Sequence, residues 1–162
     1  MVVERRKFEL FADYHQFVLQ DEAAELDISG DLWPGTTYDD MLFLTPGMIH
    51  IGTARNMTVP VEVEISDIPP DDNFGNWDHV TQYSIAIPTG KLVVLGCTDY
   101  FPEATRIKVV PGHYRARIYY GGLDTLNWNG LEGDDHYKVI FWQGDPVEPT
   151  VLKRRPKQYN FG

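Results

Sequence analysis

From Thr58 to Ser66 the chain reads "TVPVEVEIS", with Val59, Val61, Val63 and Ile65 alternating against Glu62, Glu64 and Ser66. A period of two is the pleat of a β-strand, whose successive side chains leave opposite faces. Here it predicts a strand with one apolar and one wet face. The pattern recurs in "HYRARIYY", where Tyr114, Ala116, Ile118 and Tyr120 alternate with His113, Arg115, Arg117 and Tyr119, and again in "YSIAI". "MIHIGTA" and "HYKVIFW" supply further strands, and "KFELFADYHQFVLQ" predicts one long strand from about Phe8 to Leu19. "KLVVLGC" is apolar on both sides, as in a strand covered on both faces.

Turn-forming runs separate these segments: "WPGTT", "TPG", "DIPPDDNFGN", "PTGK", "VPGH", "YGGLD", "NGLEGDD" and "QGDPVEP". Glycine supplies positive φ there, and proline fixes φ while removing a ladder donor. "PTGK", between two strand-like runs, predicts a tight hairpin. No segment carries a sustained helical period, and "DEAAELDI" predicts at most a turn or two of helix. The expected fold is therefore all-β, an antiparallel β-sandwich of jelly-roll or C2-like type with about seven or eight strands. A chain of 162 residues fits one domain. Residues 1–152 are expected to form it, with 153–162 as a basic, loosely ordered tail.

Charge is the most unusual bulk property, with a net −10 that is unevenly spread. Between Phe8 and Gly90 fifteen acids face a single base, Arg55. Phosphate binding needs a basic footprint, so nucleic acid is not expected as a direct partner, whereas the acidity permits a basic protein partner or simply serves solubility. No apolar run reaches the roughly 20 residues that span a bilayer, and no membrane association is expected. "MVVERRKFELF" lacks the apolar core and cleavage site of a secretory leader, and Cys97 is the one cysteine. Both point to a reducing compartment, the cytoplasm.

Few residues form a recognisable chemical motif. His15, His50, His79, His113 and His136 show no HxH or HExxH spacing. "DDNFGNWDHVTQ" fails the calcium-loop pattern at Gly75, Asn76 and Gln82. No GxSxG elbow occurs, and Cys97 ends an apolar run, where a thiol more often packs than reacts. No catalytic residue, metal ion or cofactor is assigned on these grounds. Aromatic residues in loops, namely Trp33, Trp77, Tyr100, Phe101 and Trp128, stand among acids and amides and suit contacts with a protein or a sugar. The residues chosen for partner binding are Asp71, Asp72, Trp77 and Asp78 from one loop and Asp99 and Tyr100 from another. A rival reading, a ligand-binding protein or enzyme, uses a pocket at one end of the sandwich in which at least two of Asp13, His15, Asp99 and His136 converge. On an extended strand Asp13 and His15 would share a face with Phe17 and Leu19, with Tyr14 turned away; such a pair reads first as a structural hydrogen bond. A third reading, a homodimer, requires an exposed apolar face on the "KLVVLGC" strand.

Three segments, "DYHQFVL" (13–19), "MTVPVEVEI" (57–65) and "VPGHYRARIYYGG" (110–122), resemble the bacterial competence-associated inhibitors of DNA-entry nuclease. They cover about a fifth of the chain. The resemblance implies a small acidic protein that binds a nuclease and performs no catalysis, its acidic face opposing the nuclease's basic cleft. "DIPPDDNFGNWD" and "NGLEGDD" are inserts relative to that pattern.

Overall fold

The computed structural model describes residues 2–25, 41–45 and 47–155. Among these residues run eleven strands: β1 (Val2–Phe11), β2 (Gln16–Asp21), β3 (Leu42–Thr45), β4 (Met48–Gly52), β5 (Thr58–Ser66), β6 (His79–Ile87), β7 (Lys91–Leu95), β8 (Thr105–Lys108), β9 (Gly112–Gly121), β10 (His136–Gln143) and β11 (Thr150–Lys153). Helix among the described residues is confined to two short 3₁₀ turns, Asp13–His15 and Phe101–Glu103. None of it is long and apolar enough to cross a membrane.

The strands form a six-stranded sheet, β1-β5-β10-β9-β6-β11, and a five-stranded sheet, β3-β4-β2-β7-β8. The all-β reading stands, with more strands than expected because several are only four or five residues long. Among the described strands pairing departs from fully antiparallel at one place, where β5 and β10 run parallel in the register Val61–Tyr137. Parallel neighbours need a long crossover, and the chain between them supplies β6 to β9.

Alternation sorts residues as the sequence predicts. Val59, Val61 and Val63 of β5 are buried with Ala116, Ile118 and Tyr120 of β9, Val139 and Phe141 of β10, and Phe17 and Leu19 of β2. Residues of both sheets thus share one core. Glu64 corrects the wet-face reading: it is 3% exposed, because Arg5 Nε at 2.8 Å and Lys138 Nζ at 2.9 Å cover its carboxylate.

Two predicted connections are different in kind. The strand expected over Phe8–Leu19 breaks after Phe11, where Tyr14 and His15 take φ of 56° and 58°. β1 then lies in the six-stranded sheet and β2 in the five-stranded one. Likewise "PTGK" is a tight turn, with Gly90 at φ 69° and its N–H on the Ile87 carbonyl at 3.2 Å, yet it joins strands of different sheets and makes no hairpin. Asp21, 2% exposed, fixes this turn by accepting from the Thr89 N–H at 3.1 Å and hydroxyl at 2.6 Å.

The apolar outer face required of "KLVVLGC" for self-association is not offered, since Val93, its outward central residue, is fully buried within the chain. Lys153, the expected start of the tail, closes β11, and the Arg155 N–H reaches Nδ1 of His79 at 3.1 Å. Trp33, Leu26 to Ile28 of "DEAAELDI", and 156–162 fall outside the described residues.

Candidate functional site

Strand register gathers four loops at one end of the molecule. Phe11 pairs with Thr58, His136 with Gly121, His79 with Tyr120, Gln16 with Gly52, and Val94 with Thr105. The loops 12–15, 53–57, 96–104 and 122–135 therefore emerge together, with Trp77 and Asp78 entering β6 beside them. Cross-links tie them: the Ala12 N–H to the Met57 carbonyl at 3.1 Å, the Thr53 N–H to the His15 carbonyl at 2.8 Å, and the Cys97 N–H to the Phe11 carbonyl at 2.7 Å.

Beneath the loops lies a buried polar network. Arg55 Nε donates to Asp135 Oδ1 at 2.7 Å, and its Nη2 to the Asp135 carbonyl at 3.2 Å. Tyr137 Oη donates to Asp135 Oδ2 at 2.7 Å and accepts from the Ala54 N–H at 2.8 Å. Burial, and then the Asp135 charge, push the Tyr137 phenol well above its ordinary pKa. The only base within the acidic stretch is thus consumed in holding 53–57 against 122–135. The sequence displayed Arg55 as an isolated base, but its partner lies 80 positions away.

The 67–78 loop folds back over the outer face of the six-stranded sheet, where Phe74 and Trp77 pack against Val80, Tyr119, Ile140 and Trp142. Arg117, with an 8% exposed side chain, fastens it by donating through Nη1 to the Asp71 carbonyl at 2.9 Å and to Asp72 Oδ1 at 3.1 Å. Its guanidinium also lies 5.4 Å from the Phe74 ring centre and 5.5 Å from that of Trp142. The Trp77 ring sits 5.3 Å from Tyr119 and 5.2 Å from His136.

The predicted residues therefore separate. Asp72 and Trp77 hold the loop to the sheet, Asp71 Oδ1 accepts from the Asn73 N–H at 3.1 Å, and Asp78 Oδ2 accepts from the Leu123 N–H at 2.9 Å. Asp99 Oδ2 takes the Gly96 N–H at 2.7 Å, while Tyr100 beside it stands exposed. His15 Nδ1 lies 3.2 Å from the Thr53 carbonyl, and His136 Nδ1 lies 2.8 Å from the Asp134 carbonyl. The shared strand face expected of Asp13 and His15 does not exist, because both lie in the 3₁₀ turn; the Asp13 side chain is outside the described ones. His15, Asp99 and His136 occupy the same end, but no hydrogen bond joins any two of them among the described residues. Open recesses of about 590 and 440 Å³, lined respectively by Gln20, Met48 and Phe101 and by Val3, Lys108 and Tyr114, include none of the three.

What the loop end does present is acid and exposed apolar surface. Its four loops contain seven acids, Asp13, Asp99, Glu103, Asp124, Glu132, Asp134 and Asp135, against Arg55 alone. Tyr14, Met57, Tyr100, Trp128 and Leu131 are exposed there. The other exposed large apolar side chains described, Val2, Val3, Ile68 and Val110, are aliphatic and lie toward the opposite end.

No protein-family model matches the chain, and no curated protein matches it by sequence. Solved structures with a similar fold include ComJ, inhibitor of the DNA-degrading activity of NucA, from Bacillus subtilis. That likeness has a TM-score of 0.64 at 9% identity and covers 89% of this chain and 98% of that one. The product of crocagin biosynthetic gene J is similar with a TM-score of 0.57 at 18% identity, over 86% of this chain and 96% of that one. The resemblance to the competence-associated nuclease inhibitors thus extends from three short segments to the fold as a whole.

Proposed function

We propose that this chain is a binding protein of the nuclease-inhibitor kind, which occludes the basic, DNA-handling surface of a partner with its acidic loop end. The observation that carries the reading is the likeness to ComJ along nearly the full length of both chains. The charge pattern supports it: acids on one end raise the encounter rate with a cationic surface and repel nucleic acid. Asp99 and Tyr100 are the predicted contacts that sit among the exposed loops, whereas Asp71, Asp72, Trp77 and Asp78 contribute through the loop they hold in place. The reading includes a bacterial, cytoplasmic protein, a single domain over 1–152, and two sheets stacked as a sandwich of jelly-roll or C2-like type.

The test adds the purified chain to NucA, and to the corresponding DNA endonuclease of its own source organism, and follows DNA degradation at rising salt. Stoichiometric inhibition that weakens as salt screens the charges is expected. Undiminished DNA degradation by both nucleases at large molar excess of the chain would refute the reading.

A further inference from the structure

Trp128 is 94% exposed, yet it stands at the tip of an ordered loop. The Asn127 N–H donates to the Glu132 carbonyl at 2.8 Å, and the Glu132 N–H returns to Asn127 Oδ1 at 3.2 Å. These bonds close a four-residue tip, Trp128-Asn129-Gly130-Leu131. Inside it the Leu131 N–H bonds Asn129 Oδ1 at 3.0 Å, and Gly130 takes φ +71°. The base of the loop is held by the Asp134 N–H on Thr125 Oγ1 at 2.8 Å and by the buried Arg55–Asp135 pair. A large ring facing water gives the monomer little burial energy, and a fixed loop removes part of the ordering cost of binding. Exposed tryptophan on a preordered tip has the character of an interface anchor.

We infer that Trp128, with Leu131 in the same tip and the exposed carboxylates of Asp124, Glu132 and Asp134 in the same loop, is the principal anchor through which the loop end grips a cationic protein surface. The inference rests on the inhibitor reading and names its contact. An exposed indole on a loop that also carries exposed carboxylates suits a surface of arginine and lysine side chains, which stack on the ring while their charges meet the acids. None of these residues fastens the loop through its side chain in any bond described above, so their replacement leaves the fold's own network intact.

The experiment measures affinity for the nuclease inhibited by the wild-type chain, using Trp128→Ala, the triple variant Asp124→Asn/Glu132→Gln/Asp134→Asn, and Val110→Ala at the far end as control. Trp128→Ala is expected to weaken association at least about tenfold. The triple variant is expected to slow association and flatten its salt dependence, and the control to match wild type. Binding shifts tryptophan emission to the blue in wild type, and Trp128→Phe abolishes that shift. Should wild type bind while Trp128→Ala binds equally well, this inference falls and the inhibitor reading stands. Should Trp128→Ala lose binding while the triple variant keeps wild-type affinity and salt dependence, the cationic partner is wrong. Should wild type bind no nuclease, both readings fall together.

Discussion

Arg55 and Asp135, 80 positions apart, form an ion pair at 2.7 Å in which the carboxylate side chain has no exposed surface. Arg55→Ala would strand that carboxylate without its cation. The expected loss is about 3 kcal/mol, characteristic of breaking a buried pair from one side. Urea denaturation measures it, and a loss within error of zero would show that the carboxylate finds another partner.

Tyr137→Phe removes the hydroxyl between Asp135 and the Ala54 N–H and leaves both short of a partner. A cost of about 1–3 kcal/mol is expected. In the wild type the raised phenol pKa means that native Tyr137 keeps its proton where an unfolded tyrosine loses one. Its contribution is fully present below pH of about 10 and declines above it. Spectrophotometric titration should find a late-ionising tyrosine that is lost in Tyr137→Phe.

His50 is 5% exposed, and burial lowers its pKa from 6.5 to about 4. Between those values the unfolded chain binds a proton that the native chain does not. Stability therefore rises with pH across this window and falls on acidification, by roughly 3 kcal/mol for the full shift. Unfolding midpoints from pH 7 to pH 4 should show this slope, and His50→Gln should reduce it. An unchanged slope would assign the acid sensitivity to other groups.

Arg117→Met should loosen the 67–78 loop, because one buried guanidinium holds the Asp71 carbonyl, the Asp72 carboxylate and two aromatic faces. Faster amide exchange in 71–77 is the expected signal. Asp72→Asn should change stability by no more than about 0.5 kcal/mol, since that side chain is 82% exposed and its ion pair is screened. Equal effects of the two substitutions would contradict this division of labour.

The alternation in "TVPVEVEIS" and "HYRARIYY" determined by itself which side chains enter the main core, since period two needs only the pleat and the preference of apolar groups for the interior. The burial of Glu64, Arg117 and Tyr119 on the opposite face was decided by tertiary contacts. Tertiary structure decided which layer each strand joins. A period-two run reads the same whether it stays in one sheet or crosses to the other. The left-handed turn at Tyr14 and His15, and the layer change at Gly90, therefore left no mark on the pattern. The same limit applies to the site. Acid content and loop aromatics were legible, because composition and turn residues are local. Which acids are engaged in fastening loops, as Asp72, Asp78 and Asp99 are, depends on partners brought together only by sheet register. Arg55 looked like a lone base in an acidic stretch, and folding made it half of a buried pair. Trp128 looked like one loop aromatic among five, and the closed tip set it apart as the most exposed large apolar side chain among the described residues.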